Sequence, residues 1–306
     1  MAEKTEKNQE KNQEKNQEHT NHKDKIRLGL VQMRVGDTPE DNLPRILEYM
    51  TAAQAEGAEI IAFPEMCACP YQTQCFPAFA MPADAPFLAS IAEKSKALGV
   101  YTVAGSVPER VPPNAEGNEE ALIYNTTYVF SPEGKTVAKH RKVHLFDIDV
   151  VGGQRFMESD VLSAGDTFGT FDTPWGKIGI CICYDIRFPE TLRLLALDGA
   201  KGVIIPAAFN MTTGPAHWEI SFRTRALDNQ MYLAGIAPAR DLTAGYTAWG
   251  HTISTNPWGG ILTQMDEKEG MVLVDWSLSE VGRVREELPL LRHRRRDLYT
   301  VQRVER

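Results

Sequence analysis

Three short segments of this 306-residue chain carry residue types that could break a bond. The first is Gly179-Ile180-Cys181-Ile182-Cys183-Tyr184-Asp185. An apolar run passes straight into a polar pair and then into Arg187-Phe188-Pro189-Glu190, which reads as a helix start. A cysteine at such a junction sits near backbone N–H groups, which can lower a thiol pKa and stabilise an oxyanion. Cys183 is therefore a candidate nucleophile. Strand alternation puts Cys181 and Cys183 on one face, so the reading of both as core thiols stands beside it.

The second segment is Ile60-Ile61-Ala62-Phe63-Pro64-Glu65. A carboxylate that ends a buried strand needs a partner or a chemical task. Burial would raise its pKa toward neutrality, which suits a general base. An ordinary loop glutamate is the plain alternative. The third segment is Lys139-His140-Arg141-Lys142-Val143-His144. Lys142 turned inward would offer a fixed positive charge to a developing oxyanion; a solvated basic strand end is the plain alternative. His140 and His144 could bind zinc if the segment were helical, but it reads as strand and loop. Either histidine could also be the base for a cysteine, in competition with Glu65.

The elements that must position these groups alternate along the chain. Ile26–Met33 reads as a strand, Pro39–Glu56 as a helix through Leu43, Ile46, Leu47 and Met50, and Glu59–Phe63 as a short buried strand. A helix over Pro86–Leu98 and a strand over Val100–Gly105 follow. Tyr124–Phe130 and Lys135–Lys139 flank Ser131-Pro132-Glu133-Gly134, a hairpin signal. Phe168–Phe171 and Lys177–Ile182 flank a second turn at residues 173–176. Arg187–Asp198 reads as a helix ending at Gly199. Val203–Pro206 reads as a strand, His217–Asn229 as a helix and Met231–Ala237 as a strand. His251–Ser254 and Met271–Asp275 flank the turn Asn256-Pro257-Trp258-Gly259-Gly260. Helices and hairpins together predict an α/β fold with mixed sheets, and so many strands predict two sheets packed together with helices outside. Residues 1–25 hold three KNQE repeats and too few apolar residues to offset the entropy of ordering. They are expected to form a disordered polar tail, with 26–306 as one domain.

Composition narrows the classes. Apolar residues make up 42% of the chain, enough for a large core. No apolar run approaches the ~18 residues of a membrane helix. The charged N-terminus lacks the pattern of an export signal. The formal charge of -8 argues against a nucleic-acid partner. Five cysteines, an odd number in a long chain, fit a reducing cytoplasm better than a disulfide framework. The pairs Cys67/Cys69 and Cys181/Cys183 are spaced C-x-C, not as a zinc site.

The three segments also resemble, in order and separation, the catalytic motifs of the nitrilase, or carbon-nitrogen hydrolase, superfamily: FPE at 63–65, HRKVHLF at 140–146 and GICICYDIRFPE at 179–190. FDIDV at 146–150, FNMTTGPAHWE at 209–219, RALDNQ at 225–230, PARD at 238–241, AWGH at 248–251 and NPWG at 256–259 resemble the ω-amidase branch. The GPAHWE segment and RRRDLY at 294–299 are shared with the group that hydrolyses deaminated glutathione.

The resemblance implies a four-layer α-β-β-α sandwich and a Glu-Lys-Cys triad at Glu65, Lys142 and Cys183. Glu158 in RFMES stands where a second, supporting glutamate usually follows. The Tyr184 backbone N–H would help hold the oxyanion. Tyr71, Arg187, Phe209 and Thr213 would bind substrate, with Arg187 taking its carboxylate; an ion pair from Arg187 to Asp185 or Glu190 is the plain alternative. The implied activity is release of ammonia from small 2-oxo acid monoamides such as 2-oxoglutaramate and 2-oxosuccinamate, through a thioester and without metal or cofactor. A deaminated-glutathione amidase, a carbamoylase, a nitrilase or a non-enzymatic scaffold are the alternatives. A homodimer or larger homo-oligomer is expected, with Arg292 and Arg294 to Arg296 as contact candidates.

Overall fold

A computed structural model describes residues 24–117 and 119–304. The KNQE repeats lie outside the described residues. The first sheet holds seven strands. They are β1 (Lys25–Gln32), β2 (Ile60–Ala62), β3 (Tyr101–Val103), β4 (Val107–Val111), β5 (Leu122–Phe130), β6 (Thr136–Arg141) and β15 (Gly270–Ser277). Its order is β15-β1-β2-β3-β5-β4, with β6 also paired to β5. The second sheet holds β9 (Gly169–Thr173), β10 (Gly176–Ile180), β11 (Gly202–Pro206), β12 (Tyr232–Ile236), β13 (Ile253–Thr255) and β14 (Ile261–Gln264), in the order β14-β13-β12-β11-β10-β9. A small hairpin, β7 (Asp147–Asp149) with β8 (Arg155–Met157), stands apart.

Side-chain parity explains the layers. In β1, Ile26, Leu28 and Leu30 point one way and pack with Ile178, Ile180, Ile204 and Tyr232 of the second sheet. Val31 and Ile61 point the other way, against α1 (Pro39–Ala55) and α3 (Pro86–Leu98). Helix α1 buries Ile46, Met50 and Ala53, one stripe at helical spacing, and starts at a Thr38/Asp41 capping box. On the far side, Val203, Ile205 and Leu233 meet α4 (Pro189–Leu197) and α5 (Gly214–Asn229). The result is helices, sheet, sheet, helices: the four-layer sandwich. The sheets touch closely where a Cβ on Gly202 would come within 2.4 Å of the Trp276 ring. Trp276 Nε1 also donates across the gap to Ser254 Oγ at 2.9 Å.

Three expectations need correction. The strand after the Asn256–Gly260 turn is β14, which pairs β13; Met271–Asp275 belongs to β15, which crosses to the first sheet and pairs antiparallel with β1. Arg187 lies in a 3₁₀ turn over Cys183–Arg187, and the helix begins only at Pro189. Pro189 fixes this boundary, because proline disfavours helical backbone in the residue before it. Short elements were also missed: β4, β7, β8, α2 (Cys75–Phe79) and α6 (Leu278–Glu287). Among the described residues no helix is long and apolar enough to cross a membrane.

Beside the site, Glu109 on β4 fixes the end of β6. It accepts from Lys139 Nζ at 2.9 Å, Arg141 Nε at 2.8 Å and Thr126 Oγ1 at 2.8 Å. Burial works against its charge, yet these donors hold its pKa down at about 2. The carboxylate therefore adds stability that is complete above its unfolded value of 4.5 and is lost as pH falls toward 2. Glu109→Gln should cost roughly 3–5 kcal/mol at neutral pH. Urea midpoints should show the gap to wild type narrowing as pH drops below 4.5.

Candidate active site

Lys142 continues the β5/β6 ladder one residue past β6: its N–H donates to Asn125 O at 2.8 Å. That pairing turns both side chains toward Glu65. Lys142 Nζ lies 2.9 Å from Glu65 Oε1, and Asn125 Nδ2 donates to the same oxygen at 2.8 Å. Glu65 follows β2 through Pro64. Its loop closes against Gly105, where a Cβ would sit 2.2 Å from the Pro64 carbonyl, so only glycine fits. The β7/β8 hairpin returns the chain over the lysine. It places Glu158 in a 3₁₀ turn, where Oε2 accepts the Phe146 N–H at 2.7 Å and meets Lys142 Nζ at 2.9 Å. The Tyr71 hydroxyl bonds Glu158 Oε1 at 2.7 Å and contacts Glu65 Oε1 and Lys142 Nζ at 3.3 Å.

These four residues are buried, Lys142 and Glu158 at 0% exposure. Burial works against the Lys142 charge, but Glu158 and Glu65 outweigh it and raise its pKa above the usual lysine range. The lysine is a permanent cation. Burial raises the Glu65 pKa, Lys142 opposes this, and Glu158 adds to it.

Cys183 comes from the other sheet, just after β10. It adopts φ +43 at the start of the 3₁₀ turn, a left-handed conformation uncommon for residues other than glycine. The turn breaks strand alternation. Its thiol faces the Glu65 carboxylate and the Ala208 backbone. Burial outweighs the lowering that the Ala208 backbone gives this thiol. Burial pushes it well above the ordinary value, Glu65 adds to this, and Lys142 only partly opposes it. The resting thiol keeps its proton and needs a base. Cys181 is buried among the helix-side residues Leu192, Leu195 and Phe222.

The histidines do not compete for that role. His140 Nε2 and His144 Nδ1 both point to Asp185, at 2.9 and 2.8 Å. Arg187 lies half-buried with its guanidinium 4.6 Å from the Phe209 ring and 5.6 Å from the Tyr184 ring. Its Nη1 is 3.0 Å from His217 Nδ1, and its buried Nε has no partner. Among the described residues no carboxylate pairs with it; Asp185 is held by the histidines. The Thr213 hydroxyl donates to Asn210 Oδ1 at 3.0 Å. Asn125 and Tyr246 were missed in the sequence. The Tyr246 ring lies 4.6 Å from that of Tyr71, tilted by 44°, and its hydroxyl donates to the Ala208 carbonyl. An asparagine amid the β-branched and aromatic residues of β5 was the available signal for the first; Tyr246 sits in a loop and gave none. A cavity of about 540 Å³ reaches Glu65, Tyr71 and Tyr246 from a rim at Arg34, Asp37 and Asp241. That volume suits a small molecule.

The sequence model of the carbon-nitrogen hydrolase family matches residues 27–286. The chain belongs to this family. Among its relatives, this hydrolase is 44% identical to Omega-amidase NIT2 of Xenopus tropicalis over 278 residues, 91% of this chain and 98% of that protein. It is 41% identical to Omega-amidase NIT2 of Homo sapiens over 277 residues, 90% of this chain and 98% of that protein. Nit3 of Saccharomyces cerevisiae, a member of branch 10 of the nitrilase superfamily, superposes with a TM-score of 0.79 at 34% identity, over 89% of this chain and 97% of Nit3.

Glu65→Gln keeps the shape but removes the base, and should lower kcat/KM by roughly 10²–10⁴-fold. In the wild type, kcat/KM should fall as pH drops through the raised Glu65 pKa, so the acid limb should lie above 4.5. A pH series of ammonia release checks both.

Proposed function

We propose that this hydrolase is an ω-amidase, acting on the terminal amide of small 2-oxo acid monoamides such as 2-oxoglutaramate. The observation that carries the substrate class is Arg187, a half-buried guanidinium without a carboxylate partner among the described residues, four residues after the candidate nucleophile. A planar fork in that state suits a substrate carboxylate. Phe209 forms an apolar wall beside it, and the two NIT2 relatives named above carry this activity in their names.

In the proposed reaction Glu65 accepts the thiol proton as Cys183 Sγ attacks the amide carbon. The oxyanion faces the Lys142 ammonium and the Tyr184 backbone N–H. One donor of this kind is worth roughly 3–4 kcal/mol. Lys142 already contacts Glu65, Glu158 and Tyr71, so the oxyanion would take over the contact to Tyr71, which at 3.3 Å is the longest. Glu65 passes its proton to the leaving nitrogen and ammonia departs. Water, deprotonated by Glu65, then cleaves the thioester and frees the thiol.

We also propose a homodimer through α5. Ile220 and Leu227 on that helix and Trp258 beside it are exposed at 62%, 42% and 55%, and line a groove of about 550 Å³. Ile220→Glu should halve the mass seen by sedimentation.

Purified protein should release ammonia faster from 2-oxoglutaramate than from deaminated glutathione, N-carbamoyl amino acids or a simple nitrile. Cys183→Ala should abolish the release. Arg187→Lys should raise KM about tenfold or more, the loss of one bidentate contact; an unchanged KM would remove Arg187 from the binding site.

A further inference from the structure

The reacting groups hang from two different sheets. Glu65, Asn125 and Lys142 belong to the first, Cys183 to the second. Their spacing is therefore a matter of how two sheets are held, and at this point of the interface one buried carboxylate holds them. Asp185, fully enclosed, lies in the Cys183 turn. Its Oδ2 accepts the Ile182 N–H at 3.0 Å and His140 Nε2 at 2.9 Å. Its Oδ1 accepts His144 Nδ1 at 2.8 Å and the His144 N–H at 3.0 Å.

The placement of these partners matters. His140 lies in β6, paired with Thr127 of β5, two residues before Lys142. His144 lies two residues after it. Asp185 thus grips the lysine segment on both sides of Lys142. The Asp185 N–H also closes on Ile182 O at 3.0 Å, so the same residue fixes the left-handed turn of Cys183. Backbone in that region persists only where its surroundings over-determine it. Burial disfavours the Asp185 charge, but the two imidazoles and the Ile182 N–H keep its pKa below the usual carboxylate range. The His144 ring is further braced by Phe188, stacked at 3.7 Å.

We propose that Asp185, held between His140 and His144, is the positioning residue that sets Cys183 against Glu65 and Lys142, and that the histidines act as its hydrogen-bond donors and not as bases. The proposal rests on Cys183 being the nucleophile.

The test is a pair of variants at His140 in the full-length protein. His140→Gln keeps a donor near the position of Nε2 but has no basic nitrogen; His140→Leu keeps neither. Two readouts are taken: kcat and KM for 2-oxoglutaramate, and the rate at which iodoacetamide alkylates Cys183, followed by mass spectrometry. Circular dichroism checks folding. A reactive pair displaced by about an ångström loses roughly 10²-fold in rate. His140→Leu should therefore lose about that much in kcat and in alkylation rate, with KM within about threefold of wild type, while His140→Gln stays within about threefold on every readout. Asp185→Asn, which sets an amide N–H₂ against a histidine donor, should behave as His140→Leu if it folds. Two results overturn the proposal: folded His140→Gln as inactive as His140→Leu, which makes the histidine a base, or both at wild-type rates. Full ammonia release by Cys183→Ala is a separate failure, and it removes the nucleophile reading itself.

Discussion

An ammonium group with no exposed surface sits at the centre of this molecule. Lys142 lies between Glu65 and Glu158, with the Tyr71 hydroxyl beside them. A buried ion pair is weak as a source of stability, because desolvating both charges offsets most of their attraction. Much of the local architecture nevertheless serves this one contact. β2 ends at Ala62 and Phe63-Pro64 leads to Glu65, Gly105 yields space to the Pro64 carbonyl, and the β7/β8 hairpin folds back to deliver Glu158. Two carboxylates share one cation. Burial keeps Glu65 less acidic than an ordinary carboxylate; Lys142 opposes this and Glu158 adds to it.

The Cys183 thiol brings no charge to this cluster. Burial keeps the thiol protonated, so its approach to Glu65 is not an ion pair. Charge attraction at the reacting atoms thus does little to draw the sheets together. The work falls to contacts that surround them: the apolar layer of Leu28, Ile180 and Ile204, the Trp276 to Ser254 bond, and the Asp185 grip on the lysine segment. The proposed reaction, with a neutral nucleophile and a charged acid–base group, fits this division, since a preformed thiolate beside two carboxylates would add a third buried negative charge.

Much of this was legible in the sequence, and the rest failed for identifiable reasons. Apolar alternation in Ile26–Met33 and the fully apolar runs near residues 60 and 204 gave the two central sheet cores, because burial sets those patterns directly. β4 escaped notice because its sequence, Val-Pro-Glu-Arg-Val, holds a proline and two charges; its place is explained by the edge of the sheet and by Glu109 having three donors. The β15 strand was assigned to the wrong neighbour, since turn chemistry names the turn but not which of two later strands pairs across it. At the site, Cys183, Glu65 and Lys142 stood out only through the order of their motifs. Asn125 and Asp185 did not, because a hydrogen-bonding role is defined by its partners, and those lie as far as 60 residues away.

The polarity of the site gives the proposed substrate a direction. The reacting end is a cluster with two carboxylates and one cation, so an anionic group placed there meets repulsion. The proposed other end is Arg187, which has no carboxylate partner among the described residues. A molecule with a neutral amide at one end and a carboxylate at the other can satisfy both only one way round, amide toward Cys183. Hydrolysis removes that match. The amide becomes a carboxylic acid, which ionises in water but would meet Glu65 and Glu158 if it ionised in place. In the proposed reaction the same two carboxylates would orient the substrate and disfavour the product that forms beside them.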